Sequence, residues 1–250
     1  MSLLTNMFVT NLFSTNMFVR RGGMSSTPPP TSRRERPAKP ALTRQSIVSA
    51  ALDVVREEGL ERLTMRRLAT ELDTGAASLY VYFRNVAELH AGVLDELLGT
   101  VDLGGGKGDW RTRLVGVLRS YTQVLFEQPS LARSAMVSRP SGPHYLALLE
   151  RLLALLAEGG VPDAQAAWGV DLLLLYATST AVEHGSRGEA GNEEDEVNVL
   201  AATLRTLSAA SHPHIAALGD DLLSGPGTDR LTWGFDVLLN GIARTSRPRR

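Results

Sequence analysis

The chain contains no cysteine, and only two of its 26 basic side chains, Lys39 and Lys107, are lysines. Without thiols there is no disulfide, no thiolate nucleophile and no cysteine-based zinc site. That absence fits a reducing compartment, and the expectation is a cytoplasmic protein. Long apolar runs are also missing. A membrane helix needs about 18 consecutive apolar residues, and the richest stretch here, Leu172 to Tyr176, is broken by Asp171 and by Thr178 to Thr180. Strand-like alternation of useful length occurs nowhere. Charge of one sign is scarce as well: the formal net charge is -1, so any nucleic-acid surface must be local. Catalytic signatures are thin. The five histidines, His90, His144, His184, His212 and His214, form no H-E-x-x-H pair. Gly104 to Gly108 with Lys107 lacks the Gly-Lys-Ser/Thr ending of a phosphate loop and follows no strand, so it reads as a linker. His212-Pro213-His214 could chelate a metal but reads better as an exposed helix start. No catalytic residue, metal or cofactor is expected.

What the chain does have begins with an unusual leader. Thr5-Asn6-Met7-Phe8-Val9 recurs as Thr15-Asn16-Met17-Phe18-Val19. No basic region precedes the apolar part, so a secretory signal is not expected, and Met24 reads as the natural initiator. An amphipathic surface anchor has little support, since the polar residues there are Asn, Thr and Ser. Residues 1–40 as a whole read as a disordered basic extension. Its Pro/Ser/Thr/Arg-rich part carries Arg33, Arg34, Arg36 and Lys39 against Glu35. It is either a solvated linker or an arm attracted to DNA phosphates.

From Thr43 the apolar spacing turns helical. Ile47, Ala51, Val54 and Val55 share a face, Thr43 caps the start and Gly59 ends it. Thr64 caps a second helix with Met65, Leu68, Ala69 and Leu72 inward. Asp73-Thr74-Gly75 turns the chain, a third helix is expected over Ala76 to Phe83, and a fourth from Asn85 to Leu98. Further helices are expected over Asp109 to Gln128, Ser130 to Ser138, Pro143 to Glu158, Pro162 to His184, 192–209 and Thr228 to Arg244. The expected fold is all-α: a three-helix helix-turn-helix domain over residues 41–100 and a larger C-terminal helical domain over 101–250, divided at the Gly104 to Gly108 linker.

Two short helices, a tight turn and a supporting helix have helix-turn-helix spacing, which alone is a weak signal. The residues sharpen it. Leu63-Thr64-Met65-Arg66-Arg67-Leu68-Ala69-Thr70-Glu71-Leu72 followed by Ser78-Leu79-Tyr80-Val81-Tyr82-Phe83, with Ala50-Ala51-Leu52 and Glu57-Glu58-Gly59-Leu60 upstream, closely resembles the DNA-binding domain of the tetracycline-repressor (TetR) family. The resemblance implies that Ala76, Ala77, Ser78, Tyr80, Val81 and Tyr82 enter or flank the major groove, with Thr64 and Arg66 touching DNA from the second helix. Tyr80 and Tyr82 would bond phosphates, while Leu79, Phe83, Leu68 and Leu72 face the core. The chain departs from the family pattern at three positions: Asp73 where Gly is usual, Tyr82 where His is usual, and Val86 where Lys is usual. Asp tolerates positive φ, so the turn survives. Losing the lysine removes a phosphate contact and about one unit of salt slope.

In the larger half, the helix from Pro162 to His184 is apolar nearly all round, and the last helix carries Leu231, Phe235, Leu238 and Ile242 with Trp233 and Val237 beside them. Helices covered on both sides need a partner. The resemblance implies a homodimer joined by a four-helix bundle, binding a palindromic operator on double-stranded DNA and a small, largely apolar effector. Trp110, Phe126, Met136, His144, Tyr145, Trp168, Tyr176 and His184 are the candidate pocket residues, named as a set. The alternatives are a dimeric small-molecule-binding protein with weakened DNA binding, and an enzyme.

Overall fold

The computed structural model describes residues 41–137, 140–190 and 193–248. The chain divides into Met1–Ala41 and a compact unit, Leu42–Arg250. The basic extension therefore lies outside the described residues, as do the duplicated leader and Met24. Within the described residues the fold is all-α and contains no strand.

Helix α1 (Arg44–Glu58) opens on a reciprocal cap: Thr43 Oγ1 accepts from the Ser46 amide and Ser46 Oγ from the Thr43 amide, each at 3.0 Å. Gly59, at φ 87°, ends it, and one 3-10 turn (Leu60–Arg62) leads onward. Helix α2 (Met65–Glu71) is capped by Thr64, which accepts from the Arg67 amide at 3.0 Å. Such a cap is worth about 1 kcal/mol. The turn that follows puts Asp73 at φ 45°, the left-handed value for which the family uses glycine. The Thr74 amide closes it on the Ala69 carbonyl at 2.9 Å. Helix α3 is shorter than its spacing suggests, Ala76–Leu79 rather than Ala76 to Phe83. Its end is held from outside: Arg44 donates to the Tyr82 carbonyl at 2.7 Å, and Tyr82 Oη donates to the Leu42 carbonyl at 2.6 Å. Asn85 caps α4 (Val86–Leu98) by accepting from the Glu88 amide at 2.8 Å.

The larger part comprises α5 (Trp110–Phe126), α6 (Pro129–Val137), α7 (Pro143–Glu158), α8 (Asp163–Ala190), α9 (Glu193–Thr206), α10 (Pro213–Leu223) and α11 (Gly227–Arg244). Helices α5 and α8 form its centre, flanked by α6, α7 and α11. Leu114, Leu118, Leu125, Leu152, Leu173 and Phe235 are fully buried there, each worth about 1.5–3 kcal/mol of transfer free energy. Helix α11 lies close on α8 because Gly234 has no side chain: a Cβ there would stand 2.1 Å from Tyr176 Oη. Helix α10 was expected only as a helix start at His212 to His214. None of its side chains is buried, and it packs mainly on α9. Helix α4 touches α1 on one side and α6 and α7 on the other, so it joins the small N-terminal assembly to the larger bundle.

Candidate nucleic-acid interface

Packing sorts the residues of α2 and α3 into two faces. Leu68, Leu79 and Phe83 are fully buried and Leu72 is half-buried; α2 packs on α1 and α3 on α2, and the Phe83 ring lies against Gly92 of α4. The opposite face is open. Val81 is 81% exposed and Tyr80 53%, with Thr64, Arg66 and Ala77 exposed beside them and Ala76 and Ser78 half-buried. Among the described residues of the head, Tyr80 and Val81 are the two large apolar side chains left exposed, and they are adjacent. Small side chains at Ala76, Ala77 and Ser78 leave the helix slim enough for a groove, and the phenol of Tyr80 can donate to a phosphate oxygen. Thr64 Oγ1 accepts from Arg67 and keeps its proton to donate outward.

Not every polar group on the head is available. The hydroxyl proton of half-buried Tyr82 is spent on Leu42, forty residues earlier, so Tyr82 pins the point where the chain enters α1. Arg67 bridges α1 and α2: its Nε donates to Glu58 Oε1 at 2.9 Å and its Nη1 to Glu71 Oε2 at 2.9 Å. The bonds from Arg67 hold the Glu58 carboxyl below the usual carboxylate range. Glu88 is held low chiefly by the Arg84 amide and guanidinium, with Arg44 adding to them. Arg44 also stacks over Phe83, 4.1 Å from the ring centre. Val86, at the usual lysine position, is half-buried against the core.

Behind the head, the larger bundle holds a cavity of about 170 Å³ lined by Tyr121, Met136, Tyr145, Asp171, Leu175 and Thr178 among others. In its wall Tyr121 Oη and Thr178 Oγ1 share a buried hydrogen bond at 2.8 Å. Burial pushes the Tyr121 hydroxyl up to about 12, the bond from Thr178 offsetting part of that. The pair therefore stays neutral and holds two protons for one mutual bond. One donor is left for a guest or for the helix backbone.

Helix α4 is tied to the edge of this cavity. Asp95, 6% exposed, accepts from the Tyr145 amide at 2.9 Å and from the His144 amide at 3.5 Å, so a carboxylate of α4 caps the first turn of α7. Gly142 makes room for it, since a Cβ there would stand 2.1 Å from Asp95 Oδ2.

Comparison with known proteins decides the family. Residues 47–92 match the model for bacterial regulatory proteins of the tetR family, and residues 104–246 match the tetracyclin repressor-like C-terminal domain. The chain belongs to the tetracycline-repressor family. Among curated relatives, the HTH-type transcriptional repressor DrrR1 of Streptomyces coeruleorubidus is 30% identical over 224 residues, 85% of this chain and 82% of that one. Among solved structures, the transcription regulator SCO7704 of Streptomyces coelicolor is 55% identical with a TM-score of 0.71, covering 85% of this chain and all of that one. The TetR-family protein ActR of the same organism, solved in complex with actinorhodin, is 35% identical with a TM-score of 0.72, covering 81% and 97%. As a tetracycline-repressor-family member, the chain is a DNA-binding transcription regulator and not an enzyme. Among the described residues no helix is long and apolar enough to cross a membrane, and no group of three or more His, Asp or Glu is placed to hold a metal.

Within this family fold, the eight aromatic and polar residues offered as a pocket do not converge. Met136 and Tyr145 line the cavity that Tyr121 and Thr178 share. Trp110 covers Gly159, Phe126 stacks with exposed His184 at 4.7 Å, His144 packs over Gly99, and Tyr176 meets Phe235 edge-on at 5.3 Å. Trp168 is 55% exposed, on the outer side of α8. The residues missed are Tyr121, Thr178, Asp171 and Asp95. Tyr121 and Thr178 carry the signal that could have found them: polar groups at positions whose helical period points inward.

Proposed function

We propose that the chain is a homodimeric repressor that grips a palindromic operator through α3 and releases it when a small, largely apolar molecule enters the cavity between α5, α6, α7 and α8. The head over residues 41–100 reads DNA, and residues 101–250 sense the effector and hold the two copies together. The observation that carries this is the bare ridge of Ala77, Tyr80 and Val81 on a head whose other large apolar side chains are buried or half-buried. Tyr80, Thr64 and Arg66 contact phosphates, Ala76, Ala77 and Ser78 face the base edges, and Tyr82 sets the position of the reading helix from behind. In the dimer, two such helices sit about 34–36 Å apart, one turn of B-form DNA.

The outer side of α8 and α11 supports the dimer. Trp168, Leu172, Trp233 and Val237 are all exposed on it, an apolar expanse that a second copy would cover in a four-helix bundle. The tie from Asp95 to α7 supports the release step. A guest that displaces Tyr145 moves the first turn of α7, the amides it offers to Asp95 move with it, and α4 carries the shift to the head. An effector that prefers the released state about a hundredfold supplies roughly 2.7 kcal/mol per site.

A mobility-shift titration on duplex spanning the gene's own upstream region tests this. The expected result is a discrete complex that weakens steeply with salt and dissolves on addition of an effector. Actinorhodin, the ligand in the ActR complex, is the first compound to try. Ligand binding with no shift of any upstream duplex would favour a small-molecule-binding protein that no longer reads DNA.

A further inference from the structure

The outer side of α8 and α11 is not flat. It carries one large knob and one large hole, both on α11. The knob is Trp233, 70% exposed. The hole is a surface cavity of about 420 Å³ toward the C-terminal end of the helix, lined by Trp168 and Leu172 of α8 and by Val237, Leu238, Gly241 and Ile242 of α11. Its end wall is the chain after α11, which folds back along α8. Gln165 Nε2 holds that segment by donating to the Ile242 carbonyl at 3.1 Å and the Thr245 carbonyl at 3.0 Å. Arg247 stacks on Trp168 at 3.9 Å and donates to the Ala164 carbonyl at 3.2 Å. Where a side chain could fill the hole there is Gly241, and a Cβ placed there meets nothing within 4 Å.

We infer that Trp233 of each copy seats over Gly241 of the other, in this cavity, and that this reciprocal contact locks the dimer. The inference rests on the homodimer reading above. Its geometry follows from helix periodicity. Trp233, Val237 and Gly241 are spaced by four, so they form one ridge of the kind that packs between helices. The ridge lies opposite the buried residues Leu231, Phe235 and Leu239. A two-fold contact is self-complementary: the same ridge must serve both copies, crossing with opposite direction. If the axis passes at Val237, the residue four before it in one copy faces the residue four after it in the other. That sets the partner's Trp233 on Gly241, the largest side chain on the one without any. An indole filling an apolar cavity at the centre of an interface is the usual form of a dominant contact.

Sedimentation of the full chain over a concentration series tests the inference, using Trp233→Ala, Gly241→Leu and the double variant. Neither single change threatens the monomer, since Trp233 is exposed, Gly241 has open space, and leucine favours a helix over glycine. Each single variant is expected to weaken dimerisation at least tenfold, and the double variant little more than either, because each change destroys the same contact. Trp233→Phe should restore part of the loss. Variants that dimerise as tightly as wild type would overturn the inference while leaving the homodimer intact, as would single losses that simply multiply in the double variant. Undiminished dimers in which the wild-type cavity binds 1-anilinonaphthalene-8-sulfonate would overturn it too, making the cavity a ligand site. A wild-type chain that stays monomeric at every concentration would instead remove the homodimer reading itself.

Discussion

The head formed by α1 to α4 and the outer pair α8 and α11 treat their apolar residues in opposite ways. The head is nearly self-sufficient: Thr43, Thr64 and Asn85 cap α1, α2 and α4, and its large apolar side chains are buried or half-buried except Tyr80 and Val81. The outer pair leaves Trp168, Leu172, Trp233 and Val237 in water. Exposure on the head is confined to one slim ridge fit for a polar duplex. Exposure on α8 and α11 is broad and apolar, fit for another copy. On the function proposed above, the first surface takes DNA and the second takes another copy, as the composition of each suits.

The contrast can be broken most forcefully at the core behind the outer pair. Phe235→Ala should lower unfolding free energy by about 3–5 kcal/mol, read by chemical denaturation, because the ring is fully buried against Tyr176. Loss of the tie between the two regions comes next. Asp95→Ala leaves the Tyr145 amide without its partner and should cost about 1–3 kcal/mol. It should also disconnect ligand binding from operator release, which a scaffold role would not do. Thr64→Ala removes a cap and should cost about 1 kcal/mol while weakening DNA binding. The smallest effect is a pH dependence confined to the head. His90 of α4 is half-buried with Nε2 unpaired, and desolvation holds its ring below the ordinary histidine range, against the pull of a bond with the Leu63 backbone. Protonation therefore favours the unfolded chain. Stability should be full above about pH 6.5 and decline as pH falls below it. His90→Gln should flatten that decline in a thermal-melt series.

Much of the head was legible because its signals are local. Thr43 and Thr64 announce helix starts, and Asp73 takes the positive φ that its place in the turn demands. The spacing of Leu68, Leu79 and Phe83 correctly sends them inward. What was hidden depends on residues far apart in the chain. The length of α3 is set by Arg44 and Leu42, about forty residues upstream, so its own spacing overran the end at Leu79. The cavity draws on four helices, and no periodicity within one helix says that Tyr121 will meet Thr178. Aromatic content suggested a pocket, but Trp110 and Tyr176 are spent on helix contacts made possible by Gly159 and Gly234. Helix α10 has a clear apolar stripe, yet it buries none of its side chains, and Leu218 and Leu222 stay exposed.

The reading face is the centre of this account, and duplexes selected from a random pool by the wild-type protein test it most directly. Affinity for the selected duplex should be measured for wild type, Tyr80→Phe and Ala77→Leu beside their melting temperatures. The account predicts a two-fold-symmetric selected site, about a tenfold loss for Tyr80→Phe, a larger loss for Ala77→Leu, and melting temperatures close to wild type for both exposed positions. A pool that enriches no sequence, or variants that bind the selected duplex as tightly as wild type, would contradict it.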